Sequence, residues 1–340
     1  MTDVRIALDA MGGDYAPAEI VKGAVIALKA DPALSLTLVG DEARIRAELA
    51  HHDVPSSRLS VVHASEVVEM DEAATAIRKK KDASIVVAMD QVKAGLCQGV
   101  VAAGSTGAAM AAALLRLGRI PGIERPAIAV VLPTLKGPAI LLDVGANVDC
   151  KPQYLQQFAI MGSAYAQAVL KIDRPRVGLV NIGEEPGKGD ELTLEAYKLL
   201  SETKAIHFSG NVEGRDLARG NADVAVADGF VGNVMLKFAE GLGELFTGLL
   251  KDEIMKSGLI GALGALLLRS TFRRFKRRLD YAEYGGALLL GVNGVCVISH
   301  GSSKAHAIVN AIRVSKEAIL AKTLERIAEP IAALSTSAPQ

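Results

Sequence analysis

Short apolar runs with strand-like composition alternate with helical patterns along nearly the whole chain, and this alternation limits the possible folds more than any other feature. Strands that alternate with helices favour a doubly wound, mostly parallel sheet covered by helices on both faces. We therefore predict an α/β fold. The predicted strands are residues 4–8, 36–39, 99–102, 127–132, 139–142, 177–180 and 224–227.

The strands predicted at 127–132 and 139–142 are joined only by residues 133–138, which contain two prolines. This connection is too short for a helical crossover, so one antiparallel pair is expected to interrupt the sheet. Two long uncharged runs, residues 94–115 and 284–303, contain several glycines and polar residues. Each is interpreted as a buried strand, turn and helix rather than a membrane span.

The 340 residues, 50% of them hydrophobic, can bury a substantial core. We expect a single two-lobed catalytic domain over residues 1–330, with a helical amphipathic excursion at 235–284 and a frayed tail at 331–340. The 38 basic and 38 acidic residues cancel, so no global field favours nucleic acid as a partner.

The three cysteines, Cys97, Cys150 and Cys296, are widely spaced and odd in number. This pattern fits neither a disulfide framework nor a zinc site, and the six histidines show no metal-ligand spacing. We expect no metal and no cofactor. The chain starts with no basic and apolar signal segment, so a cytoplasmic location is expected.

A glycine-rich loop with one lysine follows the strand predicted to end at Val180. Its candidate residues are Gly183, Gly187, Lys188 and Gly189. Glycines let backbone N–H groups close around an anion, and Asp190 and Glu191 suit the first turn of a following helix. The spacing is not that of a nucleotide P-loop. The loop therefore predicts an anion site, although an exposed polar turn is an equally good interpretation of this stretch alone.

Three other predicted strands end in an aspartate and a glycine-containing loop, and ligands of open α/β sheets bind beyond such strand ends. A fourth loop offers hydroxyl groups at the start of an alanine-rich helix. Each loop alone is also consistent with a turn and a helix cap, and their joint occurrence is what favours a site. The candidate residues are Asp9, Gly12, Gly13, Ser105, Thr106, Asp143, Asn147 and Asp228.

Seven motifs together resemble the bacterial phosphate acyltransferases over roughly residues 4–325. They are DAMGGDYAP at 9–17, AGSTGA at 103–108, RPAI at 125–128, LLDVGANVDCKP at 141–152, NIGEEPGKGDEL at 181–192, ADGFVGNV at 227–234 and EYGGALLLGVNG at 283–294. Ser105 stands where the family usually carries asparagine.

The resemblance implies transfer of a fatty acyl group from acyl carrier protein to inorganic phosphate, giving acyl phosphate for phospholipid synthesis. It implies a homodimer with a fold related to isocitrate and isopropylmalate dehydrogenases. It also implies catalytic roles for Lys188 and Asn233.

Phosphate is already an anionic nucleophile, so such an enzyme needs positioning and charge stabilisation rather than a strong base. Lys188 is expected to hold phosphate or to stabilise charge on the thioester oxygen, and Asn233 to orient phosphate or complete the oxyanion site. A helix N-cap is an equally good interpretation of Asn233. His300 lies in a site-like context but is expected to be structural, and Cys150 is expected to be a packed residue rather than an acyl carrier. The three aspartates are expected to fix Lys188 or loop amides.

Other functions share this type of fold. A phosphotransacylase that uses short acyl-CoA is one alternative, and a nicotinamide-dependent hydroxyacid dehydrogenase is another. A membrane scaffold without catalysis is the third.

The composition changes abruptly at residues 258–281, where an apolar segment precedes a basic run. The apolar part is too short to span a bilayer but could lie in its surface beside anionic head groups. We predict peripheral membrane contact, which would bring the product to a membrane glycerol-3-phosphate acyltransferase. A dimer interface or docking of acyl carrier protein are alternatives. The predicted contact residues are Leu259, Ile260, Leu263, Leu266, Leu267, Arg273 and Arg274.

Overall fold

The computed structural model describes residues 3–279 and 285–336, which form eleven strands and twelve α-helices with a few short helical turns. The strands are β1 Val4–Asp9, β2 Leu34–Gly40, β3 Leu59–His63, β4 Gly99–Ala102, β5 Ala127–Thr134, β6 Gly137–Leu142, β7 Arg176–Val180, β8 His207–Val212, β9 Val224–Val226, β10 Ala287–Leu290 and β11 Val295–Ile298. The helices are α1 Ala18–Ala30, α2 Glu42–Leu49, α3 Ser84–Lys93, α4 Thr106–Arg116, α5 Pro152–Tyr165, α6 Glu191–Glu202, α7 Gly214–Arg219, α8 Gly229–Lys256, α9 Gly258–Leu267, α10 Arg269–Leu279, α11 Ala305–Leu320 and α12 Thr323–Thr336.

All eleven strands belong to one sheet with the order β3-β2-β1-β4-β11-β10-β5-β6-β9-β7-β8. Most neighbours are parallel, as the alternation of strands and helices predicts. The predicted antiparallel pair of β5 with β6 is present, but β10 adds two further antiparallel pairings, with β5 and with β11. The prediction of a single interruption is therefore wrong, because the second interruption comes from a late hairpin inserted into the middle of the sheet.

That hairpin also corrects the interpretation of residues 284–303. The described part of this run forms two strands, β10 and β11, joined by a tight turn, and α11 begins only at Ala305. Gly291 lies in the turn with φ of 91°, a backbone conformation that glycine adopts without strain. The other uncharged run, residues 94–115, contains β4 and α4 as predicted.

Two hydrophobic layers cover the faces of the sheet. Alternate residues of a strand point to opposite faces, so Ile6 and Leu8 of β1 join one layer while Ala7 joins the other. The first layer contains buried residues of α1, α5, α11 and α12, and the second contains those of α3 and α4. Helices on both faces confirm the doubly wound architecture.

Residues 331–336 are helical, contrary to the prediction of a frayed tail. Helix α12 continues to Thr336, and Ile331 lies buried in the first hydrophobic layer. The frayed tail predicted from residue 331 is therefore wrong for the described residues, because burial of an apolar side chain holds the last helix against the fold.

Helices α8, α9 and α10 leave the sheet and expose many apolar side chains. Within α8, only Gly229 and Gly232 of the first turn are buried. In α9, Leu259 and Ile260 are 91% and 86% exposed. No helix in the described residues is long and apolar enough to cross a membrane.

Candidate active site

The loop after β6 is organised around Asp143, whose side chain is fully buried. Its carboxylate accepts hydrogen bonds from the backbone N–H groups of Ile128, Ala146 and Asn147 at 2.9, 3.1 and 2.7 Å, and from Asn147 Nδ2 at 2.9 Å. Burial raises the pKa of Asp143, and these N–H donors oppose the shift. Asp143 therefore holds loop amides in place, which is one of the two roles expected for it.

Asp228 performs a similar role after β9. Its Oδ1 accepts hydrogen bonds from the N–H groups of Phe230 and Val231, both at 2.9 Å, which makes it the N-cap of α8. The N–H of Gly229 donates to the carbonyl oxygen of Asn147 at 2.7 Å. The first turn of α8 is therefore fastened to the loop after β6.

Asn233 lies one turn into α8 and is exposed. It is not the helix N-cap, because Asp228 occupies that position and the helix has already begun at Gly229. A Cβ placed on Gly145 would lie 3.9 Å from the Asn233 side chain, so the amide stands directly over the glycine of the neighbouring loop. The Asn233 amide is thus presented to solvent beside the Asp143 loop.

The Lys188 loop, residues 181–190, follows β7 at the same edge of the sheet as the loops after β6 and β9, since these three strands are parallel. The N–H of Lys188 donates to the carbonyl oxygen of Glu185 at 3.1 Å, closing a turn. Asp190 caps α6 by accepting the N–H of Thr193 at 2.9 Å, so it precedes the first helical turn rather than belonging to it. Within the described part of the chain, the Lys188 ammonium forms no hydrogen bond or ion pair.

The glycines of this loop differ in their surroundings. Gly183 is buried, and a Cβ there would lie 3.0 Å from a carboxylate oxygen of Glu185 and 3.2 Å from Lys188. Gly189 has φ of 103°, whereas Gly187 is exposed and has open space around it. The loop is thus compact at both ends and open to solvent at Gly187 and Lys188.

A second group of predicted residues lies beyond β1, β4 and β11. Asp9 is buried, and its Oδ1 accepts the N–H of Met11 at 3.2 Å. Burial raises the pKa of Asp9, while a hydrogen bond from Ser84 opposes the shift. Gly12 packs against the backbone of Gly104, where a side chain would collide with it. The contact of Gly12 with Gly104 therefore joins the loop after β1 to the loop after β4.

The remaining members of this group form local hydrogen bonds. Ser105 is the N-cap of α4, accepting the N–H of Ala108 at 3.4 Å, and Thr106 is the first residue of that helix. His300 Nδ1 contacts Ser302 Oγ at 2.8 Å and accepts the Ser302 N–H at 3.2 Å. Gly13, with φ of 93°, lies against the carbonyl oxygens of Ala103 and Gly301.

Strand direction separates these two groups. Three antiparallel pairings lie between β4 and β9, so β6, β7 and β9 run opposite to β1, β4 and β11. The strands that precede the nearest loops of the two groups, β11 and β6, are three strand intervals apart, roughly 14 Å across the sheet at about 4.8 Å per interval, and their loops lie at opposite strand ends. The two groups therefore lie beyond opposite ends of the strands. One group contains Lys188, Asn233, Asp143, Asn147 and Asp228. The other contains Asp9, Gly12, Gly13, Ser105, Thr106 and His300.

The surroundings of Cys150 bear on whether this residue is packed or carries the acyl group. Burial raises the pKa of the half-buried Cys150 thiol to about 12, and Cys150 Sγ donates to the Asn147 carbonyl oxygen at 3.4 Å. A thiol held protonated is a poor nucleophile, which supports a packing role. Among the residues that the structure describes, no group of three or more His, Cys, Asp or Glu side chains is arranged to hold a metal ion.

Sequence reasoning missed the residues that support these loops from neighbouring segments. Ser84 begins α3 and contacts the Asp9 carboxyl group. Asn181 begins the motif at 181–192, but the sequence predicts no role for it. Asn211 lies on β8, a strand that the sequence does not predict. The polar residue at the end of a strand next to the Lys188 loop was the signal that could have identified Asn211.

Comparison with solved structures identifies the fold. The chain has the fold of phosphotransacetylases, because it matches the phosphotransacetylase of Streptococcus pyogenes with a TM-score of 0.62 and 19% identity over 95% of this chain and 94% of that one. A phosphotransacetylase from Staphylococcus aureus matches with the same TM-score and 15% identity over 93% and 94% of the two chains.

Sequence comparison then identifies the family. The family model described as "Fatty acid synthesis protein" matches residues 4–326. The phosphate acyltransferase of Thermosynechococcus vestitus is 56% identical over 333 residues, covering 96% of this chain and 95% of the relative. That of Gloeobacter violaceus is 53% identical over 330 residues, covering 96% and 97%. The chain therefore belongs to the phosphate acyltransferase family, which confirms the resemblance seen in the seven motifs.

Proposed function

We propose that this protein transfers a fatty acyl group from acyl carrier protein to inorganic phosphate and so makes acyl phosphate for phospholipid synthesis. The observation that carries the proposal is the exposed Lys188 ammonium, which has no partner in the described residues and lies at the same sheet edge as Asn233. An unpaired cation on a glycine-containing loop is suited to an anionic substrate. Family membership supplies the reaction type.

The reaction requires a phosphate oxygen to attack the thioester carbonyl carbon. A C–O bond forms, negative charge develops on the carbonyl oxygen, and the C–S bond then breaks to release the carrier as a thiolate that takes up a proton from water. We propose that Lys188 binds either phosphate or the developing oxyanion. Asn233, whose side-chain amide is a neutral donor, would then bind whichever of the two Lys188 does not. Both are preorganised, because the first turn of α8 and the Lys188 loop are held by backbone contacts.

The aspartates contribute by holding N–H groups in place. Both carboxylate oxygens of Asp143 accept hydrogen bonds from loop N–H groups, and Oδ1 of Asp228 accepts two from the first turn of α8. The second group, with Asp9, Gly12, Gly13, Ser105, Thr106 and His300, is proposed to bind another part of the acyl donor. Gly183, Gly187, Gly189 and Asn147 are proposed to shape the phosphate site.

The identity of the donor is tested directly. Purified protein is incubated with palmitoyl-acyl carrier protein and phosphate, and acyl phosphate is measured by mass spectrometry. Formation of acyl phosphate supports the proposal, and its absence with folded protein contradicts it. A parallel incubation with acetyl-CoA and palmitoyl-CoA separates this activity from a short-chain acyl-CoA phosphotransacylase, which the fold alone would allow.

We further propose peripheral membrane contact through α9 and the start of α10. The side chains of Leu263, Leu266 and Leu267 are 60%, 64% and 76% exposed, and Arg273 and Arg274 are exposed on the next helix. An exposed apolar segment followed by cations is suited to an anionic lipid surface. Such contact would release acyl phosphate near a membrane glycerol-3-phosphate acyltransferase.

A homodimer is proposed to cover part of α8, where Phe238, Phe246 and Leu249 are 67%, 59% and 53% exposed. Exposed apolar patches of this kind mark interaction surfaces. Light scattering tests this assembly, and a monomeric mass would contradict it.

A further inference from the structure

We propose that Asn181 and Asn211 position Lys188 by holding both ends of the turn that carries it. This inference rests on the proposed role of Lys188 in the acyl transfer. Asn181 follows β7 directly, and Asn211 lies near the end of β8, the edge strand that pairs with β7. The two amides therefore reach the Lys188 loop from its own stem and from the neighbouring strand.

Each amide donates to a backbone carbonyl oxygen of the turn. Asn211 Nδ2 donates to the carbonyl oxygen of Glu185 at 2.8 Å, and the same oxygen accepts the N–H of Lys188 at 3.1 Å. Asn181 Nδ2 donates to the carbonyl oxygen of Lys188 at 3.0 Å. The peptide groups on both sides of the Lys188 Cα atom are thus fixed by hydrogen bonds.

The surroundings of Asn211 indicate why an amide is present there. The residue is 6% exposed, and its Oδ1 has no hydrogen-bond partner in the described part of the chain. Buried polar atoms are nearly always paired, so an amide with an unpaired oxygen is an unfavourable choice for stability alone. Only the donor half of Asn211 is used, and it is used on the turn that carries Lys188.

Asn181 differs because both halves of its amide are engaged. Its Oδ1 accepts the N–H of Ile182 at 2.8 Å while Nδ2 holds the Lys188 carbonyl. A Cβ added at Gly189 would lie 2.6 Å from Asn181 Oδ1, so the loop closes tightly on this side chain. Since the Lys188 side chain itself is exposed and forms no ion pair in the described residues, its placement depends on the backbone that these two amides hold.

Two substitutions remove the donors with little change of shape. Asn211→Leu deletes the donor and also the unpaired Oδ1, so the unfolding temperature should not fall. Its kcat should fall about 10- to 100-fold, because misplacing a reacting group by about 1 Å has effects of this order. Asn181→Asp keeps the acceptor for Ile182 and removes the donor, but it also adds a negative charge beside the turn. The matched control is Ser209→Ala, which lies on the same strand and loses a hydrogen bond to the Val177 carbonyl oxygen. Its kcat should stay within about 2-fold of the wild type.

A double-mutant cycle separates positioning from a general structural role. In a Lys188→Ala background, Asn211→Leu should cause no further loss of kcat, because there is no ammonium left to place. Wild-type kcat in both single variants, or losses that multiply fully in the double variant, would overturn the inference. If Asn211→Leu does not fold, Asn181→Asp and its own double variant decide. Wild-type protein without phosphate-dependent thiol release would instead refute the proposed function itself.

Discussion

The contact between the first turn of α8 and the Asp143 loop leads to a prediction about a single methyl group. Gly232 is buried. A Cβ at this position would lie about 1 Å closer to the carbonyl oxygen of Asp143 than real Cβ atoms approach any other atom. The neighbouring Gly229 is also close, since a Cβ there would lie 2.6 Å from the carbonyl oxygen of Asn147. Gly232→Ala must therefore move the helix away from the loop or distort both.

The expected magnitude follows from two opposing effects. Alanine favours a helix interior over glycine by about 1 kcal/mol, but overpacking against a backbone atom costs about 1–3 kcal/mol. Gly232→Ala should therefore lower the free energy of unfolding by up to about 2 kcal/mol. Because Asn233 is the next residue, a helix shift of about 1 Å should also lower turnover by roughly 100-fold.

The matched control is Gly241→Ala in the same helix, where the added methyl group meets nothing within 4 Å. This variant should gain about 1 kcal/mol from helix propensity and keep its turnover. Thermal unfolding and phosphate-dependent thiol release are measured for both variants. A Gly232→Ala protein with wild-type stability and turnover would refute the argument that this close contact places Asn233.

Three further predictions concern other parts of the chain. Lys188→Ala should lower turnover about 100- to 1000-fold with an unchanged unfolding temperature, whereas Lys198→Ala on α6 should not, and thiol release in both variants tests this. Burial raises the pKa of Cys150 to about 12, so at pH 8 its alkylation by iodoacetamide should be about 1000-fold slower than that of a thiol of pKa about 9. Cys150→Ser should retain activity. Rapid alkylation measured by peptide mass spectrometry, or an inactive Cys150→Ser protein, would favour the covalent acyl intermediate instead. The double variant Leu263→Glu, Leu267→Glu should no longer float with anionic liposomes, while its mass by light scattering should be unchanged. Unchanged flotation would contradict the proposed lipid contact, and a fall in mass would assign these leucines to the dimer interface.

The sequence predicted strands such as β4 well because a strand buried on both faces reads as a continuous apolar run. It missed β3 and β8, which are the two edge strands of the sheet and carry partly exposed polar residues. It also assigned a helix to residues that form β11, because a short apolar run with glycines has no clear period. The sequence predicted the antiparallel pair of β5 and β6 from their short connection. It did not predict the insertion of β10 between β11 and β5, because this depends on contacts between residues far apart in the chain.

The same limit applies to the candidate site. The sequence predicted the loops after β6, β7 and β9 as candidates because several predicted strands end in such loops, although each loop alone is also consistent with a turn and a helix cap. The sequence could not show that Asp228 caps α8, a fact that excludes Asn233 as the cap. It also could not show that three antiparallel pairings place the loops beyond opposite ends of the strands. The first fact depends on which backbone donors lie near Asp228, and the second depends on pairings between strands that are far apart in the chain.

Helix α8 joins the proposed catalytic group to the proposed lipid-contacting segment, yet its contacts predict that the two ends act independently. At 1.5 Å per residue, its 28 residues extend about 42 Å from the Asp228 cap to the start of α9. Only Gly229 and Gly232, at the capped end, are buried, and the Asp228 and Asn147 contacts hold this same turn. The position of Asn233 therefore depends on its first turn rather than on the distant leucines. It follows that a protein altered at Leu263 and Leu267 should transfer acyl groups normally from a water-soluble donor while failing to bind liposomes.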